Sequence, residues 1–269
     1  MRLATLFLVL PSLVVACSTL SQDPPAPLQP SALGTGSRIA DVQNPSSKSY
    51  MEAIANPTAG AQVDISSAVV SWIDTFDETR DGKSVGTVYI QDVGSIAPYA
   101  GISVYEASLV PASLRLLPGD VLDFVGPYQE LTAVGSAMFA PDTLPQLNKP
   151  VGTFDYEFQT PNPVTIQLSD IDQMNYSTGR KWEGMLVTVE DITVAGPAPP
   201  PGMPATRVTY LMGQGDAAID NSAAEISNEL YNLSNNDFPA GTHFKSVTGI
   251  VTWFYSYHIA PRSAADLQQ

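Results

Sequence analysis

Apolar and polar side chains alternate along this chain in short runs rather than recurring every three or four positions. A period of two is the pattern of strands that bury one face. Residues 65–73 read as a first strand, an acidic turn covers 74–84, and 85–92 read as a second strand. Within it, Thr87-Val88-Tyr89-Ile90-Gln91 sends successive side chains to opposite faces. Residues 101–105 predict a third strand. Pro118-Gly119-Asp120 makes a tight turn into a fourth at 121–126, and 129–134 predict a fifth. The one helical run expected in this half is 107–117.

The second half repeats the plan. Residues 185–194 pair with 207–212 across a proline-rich hairpin at 196–205. The irregular stretch 213–237 is expected to hold a short helix at 223–230. Pro239-Ala240-Gly241-Thr242 then stands where the first half has Pro118-Gly119-Asp120, residues 246–251 parallel 121–126, and 255–262 form a last strand. Five short strands in about 70 residues suit a small closed barrel. The fold class is therefore all-β: two small barrels in tandem, at 38–140 and 182–269, with 141–181 bridging them.

Ahead of the first barrel the pattern changes. Met1-Arg2 opens on one positive charge, and residues 3–15 are apolar except for Thr5, Pro11 and Ser12. A membrane span needs about 20 apolar residues, so this run suits the core of an export signal instead. Val14-Val15-Ala16-Cys17 resembles the lipobox of bacterial lipoproteins: two apolar residues, a small one, then cysteine. That resemblance implies a signal peptide at 1–16 and lipidation of Cys17. Cys17 is the one cysteine in the sequence, so it has no disulfide partner within the chain. By the same resemblance Ser18 favours the outer membrane or cell surface. Residues 17–37, with Pro24, Pro25, Pro27 and Pro30 and few large apolar side chains, read as a flexible tether.

The strand motifs themselves carry a second resemblance. Gly86-Thr87-Val88-Tyr89-Ile90-Gln91-Asp92, Gly101-Ile102-Ser103-Val104-Tyr105, Pro118-Gly119-Asp120-Val121 and Glu130-Leu131 together resemble the OB-fold domains that accompany exported bacterial endonuclease/exonuclease/phosphatase-type nucleases. Pro161-Asn162-Pro163-Val164 and Trp182-Glu183-Gly184-Met185-Leu186-Val187 resemble the passage that opens the next barrel in such proteins. The resemblance implies tandem OB-like barrels, expected here without the nuclease domain that accompanies them in such proteins.

Charge narrows the partners. The formal net charge is −15, and removing residues 1–16 takes away an arginine and no acid. Non-specific nucleic-acid affinity comes from Lys and Arg that displace phosphate counterions, so this composition argues against nucleic acid. It also repels anionic lipid heads, which leaves the lipid anchor as the membrane contact, with an envelope protein or glycan as the expected partner.

Candidate chemistry is sparse. The two histidines, His243 and His258, fit no zinc-binding spacing, and neither a Gly-x-Ser-x-Gly elbow nor a phosphate-cradling glycine loop occurs. No cofactor is expected. The acidic turn offers Asp74, Asp77, Glu78 and Asp81 as oxygen ligands, with Ca²⁺ the metal they suit, but Thr79 and Val88 break the EF-hand register and a solvated hairpin is the leading expectation. Strand-borne aromatics remain. Consecutive strand residues face opposite ways, so at least one of Trp253, Phe254 and Tyr255 leaves the barrel interior; these three, with Tyr257 and Tyr128, are the candidate binding residues. The expected function is a non-catalytic, lipid-anchored binding or scaffold module of the cell envelope. The alternatives are a module for extracellular single-stranded nucleic acid, or an accessory to a secreted nuclease, and a hydrolase whose polar cleft would contain His243 or His258.

Overall fold

The computed structural model describes residues 34–77, 86–132, 143–171, 176–198, 207–217, 219 and 224–269. The expected signal segment, Cys17 and most of the expected tether lie outside them. The described chain is mostly β, and its strands close into two five-stranded barrels.

Two helices precede the first barrel, α1 (Ile39–Gln43) and α2 (Lys48–Ala55). The alternation of the strands had not announced either. Ser47 caps α2 by accepting from the Tyr50 N–H at 3.1 Å, while α1 is capped from across the fold by Asp92, which accepts from Ile39 N at 2.8 Å and Ala40 N at 3.1 Å. Ile39, Val42 and Ala53 thereby join the first core.

The first sheet comprises β1 (Ala61–Ile73), β2 (Val88–Asp92), β3 (Gly101–Tyr105), β4 (Ser108–Val110), β5 (Asp120–Thr132), β6 (Thr143–Asn148) and β7 (Val151–Phe158). The ring runs β1-β2-β3-β6-β5 and closes by pairing β5 back to β1, with β3 and β6 parallel. Three expectations change here. The fourth and fifth strands are one strand, β5, because Gly126 and Pro127 continue the ladder instead of turning it, facing Val63 and Gln62 of β1. The stretch 107–117 holds β4, paired in parallel with β7, and no helix. And 143–158, read as part of a bridge, supplies β6 and β7, without which β3 and β5 would have open edges.

The second sheet is built from β8 (Val164–Thr165) and, after α3 (Tyr176–Gly179), from β9 (Leu186–Pro197), β10 (Thr209–Gln214), β11 (Glu225–Ser227), β12 (His243–Trp253), β13 (Tyr257–Ala260) and β14 (Leu267–Gln268). Its ring, β9-β10-β11-β13-β12 and back to β9, repeats the first one strand for strand, including the parallel pair β11 and β13. The helix expected at 223–230 is absent from its described part: β13 offers β11 a parallel edge, and Glu225 and Ile226 pair with His258 and Ile259. Both rings have the Greek-key order of a five-stranded OB-like barrel.

Candidate functional site

The barrels meet along a joint built from both polymer and side chain. Arg180, just before the second barrel, sends Nη2 to Glu130 Oε1 at 2.5 Å and Nη1 to Gln43 Oε1 at 3.0 Å. Glu130 also accepts from the Tyr128 hydroxyl, and burial above all, with Glu130 alongside, holds that phenol protonated well past its ordinary range. Gln43 in turn donates to the Gly101 carbonyl at 2.5 Å and to that of Tyr99 at 3.1 Å. Backbone contacts complete the seam: Tyr99 N–H donates to Lys181 O at 2.6 Å, and Leu186 N–H to Gln91 Oε1 at 3.1 Å. Gly101 and Gly184 approach so closely that a Cβ on Gly101 would stand 2.7 Å from the Gly184 carbonyl oxygen. Beside them an apolar cluster spans the seam, with Trp72 and Tyr89 of the first barrel against Leu186, Leu230, Ile250 and Ala260 of the second.

OB barrels meet their ligands on the face of the second and third strands and on the loops joining strands one to two and four to five. In the first barrel that face is β2 and β3, and the second barrel covers much of it. What is left open is a groove of about 210 Å³. Tyr89 and Ser103 line it from the first barrel, and Glu183, Arg207, Glu229, Thr252, Trp253 and Phe254 from the second. Arg207 is held from two sides: its guanidinium lies 4.0 Å from the centre of the Phe254 ring, and Nη1 donates to Glu229 Oε1 at 3.2 Å.

Behind this wall lies a polar relay. Tyr257 and Ile259 point into the second core, so His258 and Ala260 occupy the other face of β13, and Ser256 lies in the turn just before it. His258 Nε2 is 3.0 Å from Ser256 Oγ, and Nδ1 is 3.1 Å from Glu229 Oε1. Glu229 Oε2 accepts from the Thr252 hydroxyl, Thr252 being the cross-strand partner of His258. Burial alone would raise the Glu229 carboxyl, but the His258 ring, the Thr252 hydroxyl and Arg207 outweigh it and hold the pKa at about 2. Glu229 is thus an acceptor throughout the neutral range, which makes Nδ1 of His258 a donor and turns Nε2 toward the serine. Glu225 Oε2 lies 3.9 Å from the same Nε2, buried and with no hydrogen-bond partner.

The expected site residues fall into three groups. Phe254 and Trp253 line the groove, although Trp253 is 5% exposed and packs edge-on against Tyr257 at 4.8 Å, so most of it is core. Tyr255 is 47% exposed and stands edge-on to Phe254 at 4.9 Å. Tyr128 and Tyr257 are fully buried and are corrected from binding to core residues: a small barrel needs large side chains to fill it, and the hydroxyl of Tyr128 is spent on Glu130. For the metal reading, Asp74 is buried with Oδ1 accepting from Phe76 N–H at 3.2 Å, Asp77 is half-buried, and Glu78 and Asp81 lie outside the described residues. Among the described residues no three His, Cys, Asp or Glu are grouped to hold a metal. His243 is a surface residue paired with Asp191 at 2.8 Å. Sequence reasoning missed Arg207, Glu229 and Ser256. The legible signal for one of them was Ser256 two positions before His258 in the run 255–262 read as a strand, where both side chains would share a face.

No family model, curated protein or solved structure matches the chain. Fold and joint together define its class: a tandem protein of two OB-like barrels, the second seated on the β2 and β3 face of the first.

Proposed function

We propose that the protein is a lipid-anchored binding module of the bacterial envelope, held by Cys17 at the outer membrane or cell surface, and that the groove between its barrels receives a polar, uncharged ligand such as an envelope glycan. The groove carries this reading. It combines aromatic surface from Tyr89 and Phe254, hydroxyls from Ser103 and Thr252, and fixed charges of both signs from Arg207, Glu183 and Glu229, all at a barrel face that OB proteins use for oligonucleotides or oligosaccharides. The preponderance of carboxylates in and around it supports a sugar over a polyanion.

The test is binding of the exported chain to an array of envelope glycans, repeated with Gln146→Trp, which places a large ring in the groove from β6. At least a tenfold loss on Gln146→Trp is expected. Equal binding by both proteins, or binding to no glycan, removes the reading. Cys17→Ser tests the anchor: the protein should move from the membrane fraction to the soluble one.

A further inference from the structure

We propose that Ser256 is an acyl-accepting nucleophile, with His258 as its general base, acting on small activated carboxylic esters. Ser256 and His258 are not among the residues that line the groove, whereas Glu229, which holds His258, lines it as well.

The geometry is that of a nucleophile, a base and an orienting acid. Serine oxygen and imidazole Nε2 are 3.0 Å apart, and the opposite ring nitrogen is 3.1 Å from a carboxylate. Both distances are within hydrogen-bond reach, and the ring presents the correct nitrogen to each partner. Glu229 is the positioning residue, itself fixed by Thr252 and Arg207. Glu225 adds a second observation: a buried carboxylate oxygen with no hydrogen bond, 3.9 Å from the nitrogen that must take up the proton, where a positive charge on the ring would be stabilised. Tyr255, the residue before the serine, is held at a φ of 65°, a conformation unusual for a tyrosine. The turn at 254–256 joins the fourth and fifth strands of the second barrel, the loop position at which OB barrels meet ligands. Ser256 is 8% exposed there, next to the exposed ring of Tyr255.

In the first step the Ser256 hydroxyl proton passes to His258 Nε2 as Oγ bonds to the carbonyl carbon. The bond from that carbon to the alkoxy oxygen then breaks, and Nε2 returns the proton to the leaving alcohol. Water repeats the sequence on the acyl-serine: its proton goes to Nε2, its oxygen bonds to carbon, and Oγ leaves with the proton. Ester and water become acid and alcohol.

The deciding experiment treats the full chain with a fluorophosphonate, which forms an Oγ–P bond as fluoride leaves, and maps the adduct by peptide mass. The expected result is an adduct at Ser256, formed at least a hundredfold faster in folded protein than in urea-unfolded protein, the scale of general base catalysis. Ser256→Ala should lose it with its circular dichroism unchanged. Glu229→Gln should slow labelling and displace the pH dependence of its rate, which a purely structural side chain would leave in place. No adduct at Ser256 in the folded chain, or equal labelling of the unfolded chain, overturns the proposal without touching the glycan reading, which is scored by binding.

Discussion

The carboxyl groups of Glu229 and Asp155 depart from their ordinary range in opposite directions, and their pH effects have opposite signs. Glu229 is held at about 2 by His258, Thr252 and Arg207 against the effect of burial. The folded state therefore binds fewer protons there than the unfolded one, so the stabilisation is complete above about pH 4.5 and is lost as the pH falls toward 2. The wild-type urea midpoint should drop between pH 5 and pH 3. Glu229→Gln should flatten that drop while costing about 3–5 kcal/mol at pH 7, the penalty for stranding buried charges. Asp155 is raised to about 7, first by burial, then by the charge of Asp123, a hydrogen bond to it, and Glu157. Asp123 is fixed, accepting from Gly34 N–H at 2.6 Å and Ser67 N–H at 2.8 Å. Here the folded state holds the extra proton, so the contribution is complete below about pH 4 and is lost as the pH rises through 7. Asp155→Asn should remove a fall in the urea midpoint between pH 5 and pH 8.

At the level of elements, the joint depends on a few positions with little tolerance. Gly184 has a φ of 75°, and a Cβ there would stand 2.9 Å from the Ile102 backbone, so Gly184→Ala combines backbone strain with a clash. A loss of about 1–3 kcal/mol is expected in urea unfolding. Arg180→Met should cost about 3–5 kcal/mol, because it leaves Glu130 buried without its cation. The elements themselves were legible where apolar and polar side chains alternate along the strand, as in β2, β3 and β12. They were illegible where partners decide. Pro127 reads as a break, yet β5 runs through it because β1 and then β6 take over its pairing. Glu225 to Ser227 read as helix, yet the parallel edge of β13 makes them strand. Thr143 to Asn148 carry weak alternation and become a strand because the barrel needs a fifth member to close.

Across the whole molecule, the seam ties the barrels into one unfolding unit. Trp72 and Tyr89 would lose their cover, as would Leu186, Leu230 and Ile250, if the barrels parted. Unfolding followed by far-ultraviolet dichroism and by tryptophan fluorescence should therefore give a single coincident transition; two separated transitions would show barrels that unfold independently. Trp72→Ala, which empties the seam, should split the curves.

The sequence by itself determined the all-β class and the doubling of the plan, because alternation and turn residues are local properties of the chain. Which aromatics are buried and how the barrels meet was decided only in three dimensions. So was the meeting of Ser256, His258 and Glu229, since Glu229 lies 29 residues from His258 and reaches it through the parallel pairing of β11 with β13. A carboxylate acquires such a role from its neighbours, and those neighbours are set by the closure of the barrel.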